Sequence, residues 1–134
     1  MKRMVIFLVS LLFFTSGMIS LNDLQQPSLA YPQNFIMGKA SWYSEDSPGT
    51  NLRTANNEIF NDDTLTCAMW GVPFNQKIRV TNLTNGKSVV VRVNDRGPHR
   101  RYIKKGRIVD LTKEAFSQLG DSKKGLINVR IEFL

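Results

Sequence analysis

The chain carries one cysteine and one histidine among its 134 residues. A lone thiol, Cys67, excludes an internal disulfide, so a domain of this size depends on its apolar core for stability. Cys67 sits in an apolar stretch and reads as a buried thiol rather than a nucleophile. Cys67 and His99 lie far apart and without ligand spacing, which excludes a zinc site built from them. No metal and no cofactor is expected. Also missing are a phosphate-cradling glycine motif and a nucleophilic serine motif. The apolar run at residues 4–14 falls short of the roughly 20 residues that a membrane-spanning helix needs. Preceded by Lys2 and Arg3, it reads as an export signal over residues 1–20, with small residues that allow cleavage anywhere from 17 to 30. No cysteine follows it to accept a lipid. The expected location is the periplasm, cell envelope or exterior, without a lipid anchor and without a stable span once the signal is removed. Residues 21–34, with Pro27, Pro32 and several Asn and Gln, read as a linker. Residues 35–134 then form one small domain of ordinary size.

What the chain has in excess is positive charge. The formal net charge is +7, falling to +5 without Lys2 and Arg3. Arg96, Arg100, Arg101, Lys104, Lys105 and Arg107 fall within one segment, 96–107, that contains no acid. Such a run suits either a solvated surface or attraction to an anionic polymer. For an exported domain, a wall polymer carrying carboxylates or phosphates is the expected partner rather than nucleic acid.

Period-two alternation marks strands at 77–83, at 89–95 (VVVRVND) and at 126–134, with shorter strand patterns at 38–43 (GKASWY) and 107–111 (RIVDL). Asn85-Gly86 between two of them signals a hairpin. Residues 62–69 are expected to form a short helix capped by Asp62 or Asp63. A second helix is expected at 113–119, capped by Thr112 and stopped by Gly120. Five short strands and one or two helices in about a hundred residues argue for a closed β structure, since an open stack leaves exposed edges.

With nucleophile and metal chemistry set aside, carboxylates remain. Glu58, Asp95 and Asp110 each stand at an element boundary, and Asp95 ends the valine strand beside Arg96. Proximity of two such acids and burial raise a carboxyl pKa, whereas Arg92 and Arg96 act in the opposite sense. Asp110, in D-L-T before a helix, suits a structural role, holding backbone amides near the turn, better than a catalytic one. Trp42 and Tyr43 are adjacent on a strand and so face opposite ways, leaving one to point outward and stack on a sugar. Trp70 and Tyr102 are further stacking candidates.

Taken in order, GKASWY (38–43), RTANNEIF (53–60), LTCAM (65–69), VPF (72–74), VTNLTNGKSVVVRVNDRGP (80–98) and GRIVDLT (106–112) strongly resemble the rare lipoprotein A (RlpA-like) domain. The resemblance covers about residues 35–134. It implies a mainly β fold, a six-stranded double-psi β-barrel with one or two short helices. It also implies an endolytic lytic transglycosylase that cleaves peptidoglycan glycan strands between N-acetylmuramic acid and N-acetylglucosamine, leaving a 1,6-anhydro product. The family's catalytic aspartate falls on Asp95 and its glutamate on Glu58, with Asp110 in the supporting R-I-x-D-L motif. Arg96, Arg92, Trp42 and Tyr43 are the expected substrate-binding residues, and a monomer is expected. Two departures stand out. The family's histidine in L-T-A-A-H is Met69 here, whose thioether cannot shuttle a proton, which leaves His99 as the candidate to replace it. Asn57 replaces the glycine before Glu58, which requires a left-handed backbone there. Related expansin barrels bind wall polysaccharide without cutting it, so a non-catalytic wall-loosening module is the alternative expectation.

Overall fold

A computed structural model describes residues 34–134 of the chain. The expected signal and linker lie outside the described residues, apart from Asn34. Six strands form a closed barrel: β1 (Phe35–Tyr43), β2 (Thr66–Ala68), β3 (Lys77–Asn82), β4 (Ser88–Asp95), β5 (Arg107–Thr112) and β6 (Leu126–Phe133). Around the barrel they run β1-β5-β2-β4-β3-β6, and β6 closes onto β1. The β1–β5 and β2–β4 pairs are parallel, and the remaining neighbours are antiparallel. Closure gives every strand two partners and leaves no edge to template aggregation.

The alternation read from the sequence is the barrel wall. Ile78 and Val80 of β3, Val91 and Val93 of β4, and Val129 and Ile131 of β6 point inward at essentially zero exposure. Leu111 and Val109 of β5, Ala40 of β1 and Cys67 of β2 complete the interior. Helix α2 (Lys113–Ser117) contributes Ala115 and Phe116, both fully buried. Its N-cap is Thr112, whose hydroxyl accepts from the Ala115 N–H, as the sequence suggested. Gly38 lies so close to β5 that a Cβ there would sit 2.7 Å from the Ile108 side chain.

The segment expected as a helix at 62–69 is instead a turn followed by strand β2. Asn61 makes the turn: its side chain accepts from Asp63 N and its carbonyl from Thr64 N. Thr66, Cys67 and Ala68 are then buried, with β4 on one side and β5 on the other. A strand buried on both faces shows no alternation, so its periodicity does not distinguish it from a helix. The Asn85-Gly86 hairpin is present, but its connection spans residues 83–87 rather than two residues, with Gly86 at φ 74°. A further short helix, α1 (Arg100–Ile103), lies within the basic segment and buries none of its residues.

Candidate functional site

Strand β2 is the axis of the site. Ala68 pairs with Asp95 of β4 on one side and with Asp110 of β5 on the other. Two interstrand steps separate the two acids, about 10 Å between their Cα atoms. Both line one open cleft of about 970 Å³ at this end of the barrel. Gly97 keeps the space between them open: a Cβ there would lie 3.1 Å from Ala68 Cβ and 3.3 Å from Asp110 Oδ2.

Asp95 is held from several directions. Its carbonyl accepts from the Met69 N–H at 3.1 Å, fixing the end of β4. Its Oδ1 accepts from two backbone amides, Ala55 at 2.9 Å and Arg96 at 2.8 Å. Its Oδ2 accepts from the Tyr43 hydroxyl at 3.3 Å. Oδ1 is therefore occupied by two amides, and Oδ2 is the oxygen with capacity left for a proton or a ligand. The Tyr43 ring stacks on Phe60 with centroids 4.7 Å apart. Burial first, and then the Asp95 charge, push the Tyr43 hydroxyl well above its ordinary value, so it remains a donor.

Asp110 uses Oδ1 for the Ser41 hydroxyl and for Arg107 Nε at 2.9 Å. It does not cap the following helix, because Thr112 already does; the carboxylate instead faces the cleft. The interior side of the same acids holds Cys67. Burial, reinforced by the charges of Asp110 and Asp95, pushes its thiol up and keeps it an inert core group.

Glu58 lies elsewhere. Its carboxylate forms a two-pronged pair with Arg92, at 2.6 and 2.9 Å, and also accepts from Asn94 at 3.0 Å and Asn56 at 2.8 Å. These bonds, the Arg92 pair first, hold its pKa down to about 2. Neither Glu58 nor Arg92 lines the cleft. Their network clamps residues 54–58 onto the outer side of β4, helped by Asn57 at φ 71° and by the Asn56 N–H on the Asn94 carbonyl. The clamped loop is the one that presents the Ala55 N–H to Asp95. The link from Glu58 to Asp95 therefore runs through backbone, not through direct contact.

The other candidates divide in the same way. Trp42 and Tyr43 do not split between core and solvent as alternation predicts; both are half-buried and both line the cleft. Strand β1 ends at the barrel rim, where Trp42 Nε1 reaches the Ser122 carbonyl at 3.0 Å and Phe60 covers Tyr43. Arg96 lines the cleft but is stacked 3.8 Å from the Phe74 ring centre and donates to the Met69 carbonyl. His99 caps α1, where Nδ1 accepts from the Arg101 N–H at 3.3 Å, and it makes no hydrogen bond to Asp95 or Glu58. Met69 is 4% exposed and packs in the core.

Sequence reasoning passed over Arg53, Ser41 and the Ala55 amide. Ser41 opposite Asp110 follows from the parallel β1–β5 register, which no local pattern encodes. Among the described residues, no three His, Cys, Asp or Glu side chains are grouped to hold a metal ion, and no helix is long and apolar enough to cross a membrane.

The fold and cleft define a class: a double-psi β-barrel presenting a fixed aspartate in an open cleft. The chain belongs to the lytic transglycolase family, whose model matches residues 36–131. It is 44% identical over 104 residues to the endolytic peptidoglycan transglycosylase RlpA of Vibrio cholerae, covering 77% of this chain and 37% of that one. It is likewise 44% identical over 97 residues to a probable endolytic peptidoglycan transglycosylase RlpA of Synechocystis, covering 72% and 28%. The chain thus spans well under half the length of these relatives. Among solved structures, a Streptomyces papain inhibitor matches with a TM-score of 0.58 at 18% identity, over 75% of this chain and 94% of that one. An expansin from Clavibacter michiganensis matches at 0.57 and 22%, over 75% and 50%. These two likenesses concern the fold alone.

Proposed function

We propose that this barrel is a lytic transglycosylase that cuts within peptidoglycan glycan strands, between N-acetylmuramic acid and N-acetylglucosamine, as an exported monomer of the cell envelope. The observation that carries the reading is the setting of Asp95: a cleft carboxyl with one oxygen pinned by two amides and the other, which accepts only from the Tyr43 hydroxyl, left with capacity for a sugar. The family match and the names of the relatives support the choice of substrate.

In this reading Asp95 Oδ2 carries the proton. It is transferred to the glycosidic oxygen as the bond from muramyl C1 breaks, and N-acetylglucosamine departs with a new C4 hydroxyl. The Asp95 carboxylate then takes the proton of the muramyl C6 hydroxyl while O6 bonds to C1. The proton lost to the leaving group is thereby recovered, and no water is consumed. A positioned acid/base of this kind is worth about 10²- to 10⁴-fold in rate. Tyr43 orients Oδ2, and Trp42 and Trp70 offer ring faces to the sugars. Arg96 keeps one wall in place, Asp110 with Arg107 shapes the other, and His99 stands at the rim. Glu58 and Arg92 act from outside the cleft by holding the loop that carries the Ala55 amide.

Digestion of purified glycan strands, followed by mass spectrometry for anhydromuramyl ends, tests the proposal. Products ending in 1,6-anhydromuramyl are expected, and folded protein that releases none over a range of pH sinks it. A second reading, a non-catalytic wall-binding module, is favoured by one observation: the family's histidine position is a core methionine, and no imidazole bonds to Asp95. Retention on insoluble wall material without soluble product selects that reading.

A further inference from the structure

The wall of the cleft beyond Asp110 carries more positive charge than general acid chemistry needs. Arg107 lines it with Nε committed to Asp110, and its two terminal nitrogens make no hydrogen bond among the described residues. Its guanidinium lies 4.6 Å from the centre of the Tyr102 ring. The Arg101 guanidinium lies 4.7 Å from the same ring centre and donates to the Tyr102 hydroxyl at 2.7 Å. Arg101, Tyr102 and Arg107 all line the cleft, and Arg53 lines it as well. Tyr102 thus contacts two guanidiniums of the cleft wall, groups that are weakly hydrated and suited to recognising an anion. Paired guanidiniums with free N–H groups suit a carboxylate, which each can bind through two parallel bonds. Asp110 cannot fill that role for both, because only Arg107 reaches it.

We propose that Arg101 and Arg107, held on Tyr102, form a subsite for a carboxylate borne by the C3 substituent of a muramyl residue. The inference rests on the glycan-strand reading above. It adds what distinguishes a muramyl from a glucosaminyl residue: both share the sugar ring, and only the muramyl ring carries an acid. Asp110, which anchors Arg107, stands two strand spacings from Asp95, about 10 Å between their Cα atoms. Asp95, Arg101 and Arg107 line the same cleft, so in this reading a muramyl ring at Asp95 turns its C3 acid toward the basic wall. Recognition of that acid selects which of the two alternating glycosidic bonds is presented to Asp95.

The test is a binding titration at low salt with three probes: peptide-free glycan strands, the same strands with their lactyl carboxylates converted to neutral methylamides, and strands that keep their stem peptides. Peptide-free strands should bind about ten-fold more tightly than the amidated ones, as one charge-assisted contact implies. Raising salt from 50 to 300 mM should weaken the first and not the second. Arg101→Gln, at an exposed residue whose side chain contacts Tyr102 and, among the described residues, makes no other hydrogen bond, should remove most of that preference; Arg107→Gln should do the same. If stem-peptide strands also exceed the amidated ones and lose that advantage in Arg101→Gln, the carboxylate recognised includes the peptide's. Equal affinity for native and amidated strands, or an unchanged preference in both variants, overturns the subsite. Cleavage of native and amidated strands at equal rates overturns the subsite and leaves the transglycosylase reading standing. Charge-dependent binding with no anhydromuramyl product does the reverse.

Discussion

Replacing Glu58 by glutamine should remove a pH-dependent part of the stability. In the folded chain Glu58 titrates at about 2 against an ordinary 4.5, chiefly because Arg92 and Asn94 bond to the charged form. A group with a lowered folded pKa stabilises above its unfolded value and loses that contribution as pH falls through the folded value. The contribution is therefore complete above about pH 5 and mostly gone at pH 2. A displacement of that size is worth at most about 3 kcal/mol. The Glu58 side chain is 37% exposed, so solvent screening reduces the expectation to about 1 kcal/mol. For about 100 folded residues this corresponds to about 4 °C in Tm. Urea unfolding of wild type and Glu58→Gln from pH 7 to pH 2 measures it, because the other carboxylates contribute alike to both proteins. The gap should be about 1 kcal/mol at pH 7 and close as pH approaches 2. A gap of constant size across that range refutes the assignment of the stabilisation to the Glu58 charge.

Other outcomes follow from the same contacts. Tyr43→Phe keeps the stack on Phe60 but loses the bond to Asp95 Oδ2, so kcat should fall about ten-fold with KM little changed. Gly38→Ala forces a Cβ against Ile108 and should cost about 1–3 kcal/mol in chemical denaturation. Cys67, fully buried and with its thiol pushed up, should react with a thiol-specific disulfide reagent only after unfolding; rapid labelling of the native protein contradicts the core placement.

The parts of the fold legible from sequence are those where one face meets the core and the other meets water. Strands β3, β4 and β6 show alternating burial in the fold and alternating hydropathy in the chain. Strand β2 lacks that contrast because all three of its residues are buried, so it reads as a helix until its two neighbours are known. Helix α1 buries nothing and leaves no apolar stripe to find. At the site, Asp95 is legible because a strand pattern stops on it. Its partners are not, because Ala55 and Tyr43 lie 40 and 52 residues away, one brought in by a loop folding onto β4 and the other by the strand order of the barrel. The pairing of Glu58 with Arg92, 34 residues apart, is likewise a product of the loop folding onto β4. The resemblance could name Glu58 but not its place, which is outside the cleft.

The role of Asp95 is tested most directly by a single substitution. In Asp95→Asn the amide oxygen can still accept from Ala55 and Arg96, and the new N–H₂ can face the Tyr43 oxygen, so the fold should stand with Tm nearly unchanged. The variant has no titratable proton to give, and anhydromuramyl product from purified glycan strands should fall by at least about 10²-fold. A folded Asn variant that releases product at the wild-type rate removes Asp95 from the chemistry.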